Sequence, residues 1–360
     1  MEQYTSSLVF FGSFLLTYLL IPKIIGIAHY KSLVDHPNDR SSHVTSTPRL
    51  GGVAFYITLL IALYFIPNQE GFELTRCLSP CLTILFVIGL KDDLVVLSAR
   101  TKFISQICTT FFILFTTDLF VSDFHQFLSI GQIPMWLTIL LTIIIVVGII
   151  NAINLCDGLD GLAAGLSITA TAWFIYVFWQ MGYYFSFLVA LSTLAILLGF
   201  IPHNISKTKK IFMGDTGSMI IGFILAFLTL RLLAADELVI EKLSFPIENI
   251  PVFLVFILFV PVADAVRVML SRVIKRNSPF KPDRGHLHHV IVDQFKQSHL
   301  VTSAIITVFS LLFSALGMIL IHSFSSFALT FSLIAFFIVY CFAVEKLSNA
   351  NFSSKSVEKK

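Results

Sequence analysis

"GLAAGLSITATAWFIYVFWQMGYYFSFLVALSTLAILLGFIPHNIS", residues 161–206, runs for 46 residues without Asp, Glu, Lys or Arg. An α-helix rises about 1.5 Å per residue and the hydrocarbon of a bilayer is about 30 Å thick, so roughly 20 apolar residues cross it once. The stretch is therefore long enough for two crossings joined by a tight turn. A second charge-free run, residues 297–344, has 48 residues and the same implication. The 360-residue chain is 56% hydrophobic and 12% charged, which excludes an ordinary soluble domain.

Working outward from these runs, spans are expected near 7–27, 50–66, 78–90, 102–120, 134–150, 161–180, 184–202, 216–234, 250–272, 299–322 and 326–345. Backbone polar groups in lipid must be satisfied within their own segment, and the ten-residue alternation of barrel strands is absent, so the expected fold is all-α. Eleven spans place the termini on opposite sides. Of the 24 Lys and Arg, 21 fall in alternate loops and the C-terminal tail, and only Arg76, Arg231 and Lys242 fall on the other side. The positive-inside bias then puts the N-terminus outside and the C-terminus in the cytoplasm.

The start "MEQYTSSLVFFGSFLLTYLLIPK" lacks a basic leader and a small-residue cleavage site, so it is read as the first span. Residues 1–346 form one transmembrane domain, and the polar tail 347–360 is expected to be disordered. The five cysteines show no metal spacing or disulfide framework. No internal repeat and no basic-aromatic nucleic-acid patch is visible.

Ionisable groups near a bilayer are costly, and here they gather at the basic ends of the spans. The adjacent pair Asp92 and Asp93 would repel each other unless a cation lies nearby, and hard oxygen ligands favour Mg²⁺ or Mn²⁺. A solvated loop with Lys91, Arg100 and Lys102 as partners is the alternative. In "NAINLCDGLDGLAAG" (151–165), Asn151, Asn154, Asp157 and Asp160 recur every third residue, a polar ridge if the segment is helical. Caps and turns are the competing reading of such Asn, Asp and Gly residues. In "FMGDTGSM" (212–219), Asp215 serves either as the N-cap of the eighth span or as a metal ligand beside helix amides that would receive phosphate. Phe212 offers an aromatic face to a base. In "RNSPFKPDRGHLHH" (276–289), Arg276, Lys281, Arg284, His286, His288 and His289 lie in one stretch. Pro279 and Pro282 favour a loop there, and the histidines read as donors to phosphate rather than zinc ligands.

Together with "DHPNDRSSHVTSTPRLGG" (35–52), these stretches resemble the polyprenyl-phosphate N-acetylhexosamine-1-phosphate transferases of bacterial envelope synthesis, over nearly the whole chain. Within that family the chain looks most like the enzymes that move GlcNAc-1-phosphate from UDP-GlcNAc to undecaprenyl phosphate, at the start of O-antigen, common-antigen or teichoic acid chains. The resemblance implies catalytic roles for Asp92, Asp93 and His289, and a Mg²⁺ or Mn²⁺ ion at Asp215 and Asn154. It implies nucleotide or substrate binding by Asn151, Asp157, Gly158, Leu159, Asp160, Phe212, Lys102, Arg284, His286 and His288. The implied setting is the bacterial inner membrane with a cytoplasmic active site. The expected partners are a UDP-N-acetylhexosamine, undecaprenyl phosphate and a second copy of the chain, and no nucleic acid.

The related transferase that accepts UDP-MurNAc-pentapeptide usually has a lysine three positions after the second aspartate, where this chain has Val96. That departure favours the GlcNAc branch, with the pentapeptide enzyme or another UDP-N-acetylhexosamine as alternatives. A transporter is the rival of another class, but transporters place binding groups near the midplane and show repeated halves, and neither feature is visible.

Overall fold

A computed structural model describes residues 2–33, 47–66, 68–117, 119–278 and 284–357. Most of the "DHPNDRSSHVTSTPRLGG" stretch, and Pro279, Lys281 and Pro282 of the basic stretch, lie outside the described residues. The helices are α1 (Glu2–Tyr30), α2 (Gly51–Phe65), α3 (Asn68–Leu94) and α4 (Ala99–Thr116), then α5 (Met135–Cys156), α6 (Leu162–Met181), α7 (Tyr184–Asn204) and α8 (Gly214–Leu233). After the short α9 (Glu237–Ile240) come α10 (Ile250–Ile274), α11 (Leu287–Phe295), α12 (His299–Leu320) and α13 (Ser326–Val357).

Each of the eleven expected spans coincides with a helix. Among the described residues, nine helices are long and apolar enough to cross a membrane, which makes the chain an all-α polytopic membrane protein. The other two are α2, with 15 residues, and α4, with 18. α4 opens with Arg100 and Lys102 and continues with Ser105 and Gln106, so its first turns are polar. α13 does not break at 346 but continues as helix to Val357.

Between α4 and α5 the chain forms the one β-sheet among the described residues, an antiparallel hairpin of β1 (Asp123–Phe127) and β2 (Ile130–Gln132). The His125 ring anchors it, with Nε2 3.1 Å from the Leu233 carbonyl oxygen at the end of α8.

α8 is the axis of the bundle: 18 of its 20 residues are buried. A helix that is apolar on all sides belongs in the core, and α2, α3 and α5 pack closely around this one. Their approach depends on small residues. A Cβ on Gly52 of α2 would lie 2.2 Å from the Gly217 amide nitrogen of α8, so only a glycine fits that crossing. Polar pairs such as Ser13 with Ser192 (2.9 Å) and Thr17 with Thr58 (3.1 Å) join α1 to its neighbours. The packing fixes the start of α8 against the ends of α3 and α5, which is where the ionisable stretches meet.

Candidate active site

The buried start of α8 has no water to satisfy its free amides, so protein groups must do it. Gly214, at φ +74°, turns the chain into the helix, and a Cβ there would lie 2.8 Å from the Asp93 carboxylate oxygens. The Gly214 amide donates to Asp157 Oδ2 (3.0 Å) and the Asp215 amide to Asp93 Oδ1 (2.8 Å). The Thr216 amide and hydroxyl both donate to Asp93 Oδ2 (3.0 and 2.5 Å). Two carboxyl groups, one near the end of α3 and one just after α5, therefore cap α8, as the positive end of the helix dipole favours. This corrects two expectations: Asp215 is not the N-cap, and the α8 amides are taken by Asp93 and Asp157 rather than left open for phosphate. Asp93 thus holds the start of α8 through three hydrogen bonds.

Asp215, released from capping, turns its carboxylate toward α4 and α5. Its Oδ1 accepts from Lys102 Nζ (2.9 Å) and from Asn154 Nδ2 (2.7 Å). Lys102 Nζ also lies 2.7 Å from Asp92 Oδ2, while the Leu97 amide donates to Asp92 Oδ1 (2.6 Å). One ammonium thus bridges the two carboxylates. Asn154 Nδ2 also donates to Ser218 Oγ (2.8 Å). Because a carboxylate accepts only, Asn154 presents its amide nitrogen to Asp215 and steadies that side chain.

The expected ridge on 151–160 is broken. α5 ends at Cys156, Asp157 caps it, and turns carry the chain to Gly161. The four polar residues consequently fan out to different partners. Asn151 Nδ2 donates to Gln106 Oε1 on α4 (2.7 Å), away from the carboxylate cluster; Asn154 and Asp157 hold α8; Asp160 Oδ2 pairs with Lys210 Nζ (2.5 Å). Burial, with the negative Asp215 next in effect, pushes the Asp157 carboxyl well above its ordinary range. Leu159 is buried in the core. Asn204 fixes the turn to the next loop: the Gly161 amide donates to its Oδ1 (2.6 Å) and its Nδ2 donates to the Ile211 carbonyl (2.9 Å). Phe212 follows, half-buried, with Lys210 Nζ 5.2 Å from its ring centroid.

The histidines reach the same place from α11, which packs on α12 and α13. Their stretch is not all loop: α11 begins at Leu287, with His286 at its N-cap and His288 and His289 in its first turn. Asp264, buried in α10, organises them. His286 Nδ1 lies 2.9 Å from Asp264 Oδ2, and Asp264 Oδ1 accepts from the Leu287 amide (3.0 Å), Arg267 Nη2 (2.7 Å) and Tyr340 Oη (3.1 Å). A carboxylate on Nδ1 requires the proton there, so His286 keeps Nε2 for other work. His288 packs over Gly158, where a Cβ would lie 2.9 Å from His288 Nε2. The histidine helix and the 157–160 turn therefore touch. Arg284 donates to Asp293 through Nε (3.2 Å) and Nη2 (2.9 Å).

All four sequence stretches meet at the basic end of the bundle. Asp264, Arg267, Lys210, Asn204 and Gln106 complete the arrangement, and the sequence reading missed them. An acid fourteen residues into an apolar helix carries a signal of its own. The other four are single polar residues that only the packing distinguishes.

Burial lowers the His288 pKa to about 3, and burial together with Arg284 lowers that of His289 to about 4. Both are neutral at pH 7. Because an unfolded histidine titrates near 6.5, the unfolded chain binds more protons below that pH, so these residues favour the fold above about pH 6.5 and lose that contribution as pH falls toward 4 and below. His288→Gln should flatten the acid limb of a thermal-unfolding series between pH 6.5 and 4; an unchanged limb would show that His288 is not a neutral buried group.

Two carboxylates share a cation at this site, and among the described residues no three His, Cys, Asp or Glu side chains form a metal cage. Mg²⁺ is commonly held by one or two carboxylates plus substrate phosphates. The Asp92 and Asp215 pair fits such an ion.

The model of glycosyl transferase family 4 matches residues 75–233. The chain is 34% identical to the decaprenyl-phosphate N-acetylglucosaminephosphotransferase of Mycobacterium leprae, over 79% of this chain and 76% of that protein. It is 32% identical to the probable undecaprenyl-phosphate N-acetylglucosaminyl 1-phosphate transferase of Bacillus subtilis, over 85% and 82%. It is 30% identical to the undecaprenyl-phosphate alpha-N-acetylglucosaminyl 1-phosphate transferase of Escherichia coli K12, over 81% and 78%.

Proposed function

Since the chain belongs to the polyprenyl-phosphate N-acetylhexosamine-1-phosphate transferases of glycosyl transferase family 4, we propose that it moves GlcNAc-1-phosphate from UDP-GlcNAc to undecaprenyl phosphate. It is a membrane phosphotransferase. The observation that carries the finer reading is the meeting of the Asp92, Lys102 and Asp215 cluster with the 157–160 turn and the histidine helix at one end of the bundle. An oxygen of the lipid phosphate attacks the β-phosphorus of the donor; the bond to the bridging oxygen breaks, and UMP leaves with its electron pair. One phosphoanhydride replaces another, so the protein's task is alignment and neutralisation of charge.

Asp92 and Asp215 are the residues that would hold Mg²⁺, which supplies charge neutralisation on the diphosphate. Asp215 is steadied for that by Asn154, and the start of α8 by Asp93 and Asp157. The second pKa of a phosphate monoester is about 6, so the acceptor is largely dianionic at neutral pH and Asp92 needs to act only as a weak base. His286, with its Nδ1 proton held by Asp264, would donate from Nε2 to an oxygen on the leaving side only with the ring doubly protonated. Phe212 would stack on the uracil ring, and Asp160, beside it through Lys210, would accept from the nucleoside.

An apolar cavity of about 610 Å³ lies between α5, α10 and α13. Its lining runs along α10 from Pro251 to Val266, sixteen residues that span roughly 22 Å of helix. It ends beside Asp264 and thus beside the histidine helix. Thr229 and Thr330 are the polar side chains in the lining. A polyprenyl chain with its phosphate at the basic end suits this shape. Gly148 opens onto the cavity, and a Cβ there would meet nothing within 4 Å. Gly148→Leu should therefore fill the groove without strain, raising KM for the lipid several-fold while leaving KM for the UDP-sugar unchanged. Equal effects on both substrates would place the lipid elsewhere.

The assay for the whole reading uses purified protein, undecaprenyl phosphate, Mg²⁺ and either UDP-GlcNAc or UDP-MurNAc-pentapeptide. UMP release with UDP-GlcNAc alone is expected. Release with the pentapeptide donor alone would assign the chain to peptidoglycan synthesis, and no release from any UDP-sugar would count against the transferase reading.

A further inference from the structure

We propose that Lys102 is a built-in counter-ion that holds Asp92 and Asp215 together and must yield its place when a divalent cation binds there. The inference rests on the metal reading above and adds to it an exchange between two cations of this site. Lys102 sits in the first turn of α4, directly after the loop that leaves Asp92, and Ser98 caps that turn through the Thr101 amide. The packing of α4 on α3 and α5 thus aims its ammonium between the two carboxylates. Its Nζ lies 2.7 Å from Asp92 Oδ2 and 2.9 Å from Asp215 Oδ1.

Two carboxylates facing each other need positive charge between them. A lysine supplies one unit against two, so the pair keeps a net negative charge and an affinity for a stronger cation. Mg²⁺ requires oxygen ligands at about 2.0–2.1 Å in near-octahedral order. An ammonium at hydrogen-bond distance from both carboxylates stands where such an ion would sit, so the two exclude each other. Lysine suits the exchange: its ammonium is a point charge on a flexible four-carbon stem, whereas an arginine fork would bind both acids in fixed geometry. Lys102 is partly exposed, with 24% of its side-chain surface accessible, which leaves it a path outward. Once displaced it remains beside the cation, in reach of a diphosphate held there. The other neighbours, Asn154 and the Leu97 amide, are neutral donors that stay with their carboxylates.

The test binds metal alone, without either substrate, to purified full-length protein. Mn²⁺ titration followed by electron paramagnetic resonance should give at least tenfold tighter binding to Lys102→Met than to the unaltered protein, and adding Asp215→Asn to that variant should abolish the gain. The melting temperature of Lys102→Met should fall in EDTA and recover with Mg²⁺. Should the variant not fold, the unaltered protein still decides the matter: acylation of Lys102, followed by mass spectrometry, should rise when Mg²⁺ is added. Equal or weaker Mn²⁺ binding by Lys102→Met, or Lys102 acylation that does not rise with Mg²⁺, would overturn the exchange. Neither result touches the transferase reading, which fails only if Mg²⁺-dependent UMP release is absent from the unaltered protein.

Discussion

Asp215→Asn is expected to lower turnover about a thousandfold and to remove most of its dependence on Mg²⁺, while the protein folds and inserts as before. A thousandfold is about 4 kcal/mol of transition-state stabilisation, the scale of losing a preorganised charge at a developing anion. The fold should survive because Asp215 does not cap α8. Asn keeps an oxygen for Lys102 Nζ and Asn154 Nδ2, the two donors on Asp215 Oδ1. What it loses is the negative charge and the second hard oxygen. Initial rates across a Mg²⁺ series, with melting temperature as the control for folding, check this. Activity within tenfold of the unaltered protein would remove Asp215 from the metal site.

Asp93→Ala is expected to act the other way round, on the fold first and on catalysis as a result. The carboxylate accepts two backbone amides and one hydroxyl at the buried start of α8. Hydrogen bonds to a charged group contribute about 1.5–3 kcal/mol each, and the orphaned amides would have no water to turn to. A loss of roughly 3–5 kcal/mol follows, in the range reserved for broken buried networks. Purified Asp93→Ala should melt many degrees lower, and Asp93→Asn should lie between, since it retains one acceptor oxygen. Asp92→Asn, by contrast, should lose activity with little change in melting temperature. If the two neighbours exchanged these phenotypes, the capping role assigned to Asp93 would be wrong.

That contrast shows where sequence reading stops. The adjacent aspartates are equivalent as letters, and nothing local separates them. Their roles diverge because α3 ends with Asp93 facing α8 and Asp92 facing α4, and those partners lie 122 and 10 positions away along the chain. The span pattern was legible for the opposite reason. Charge-free length is a local property set by bilayer thickness, so each expected span became a helix. α2 and α4 stand apart from the nine helices that are long and apolar enough by themselves, because one is brief and the other starts with polar residues. The 151–160 ridge failed on a local feature that outweighed its period: α5 stops at Cys156, Gly161 at φ +79° turns the chain into α6, and the four polar residues are dealt to four partners. Asp264 was legible in principle. Its neighbour Arg267, three positions on, disguises it as a local ion pair, whereas Tyr340, the Leu287 amide and His286 make it the organiser of the histidine helix.

The central claim is that a lipid phosphate and a nucleotide diphosphate meet at the basic end of this bundle, and that phosphorus travels with the sugar. UDP-GlcNAc labelled with ³²P in the β position tests this most directly when it is supplied to the purified protein with undecaprenyl phosphate and Mg²⁺. The label should appear in the lipid fraction in step with UMP release, and EDTA should prevent both. Label retained in UDP while the sugar alone reaches the lipid would contradict the account.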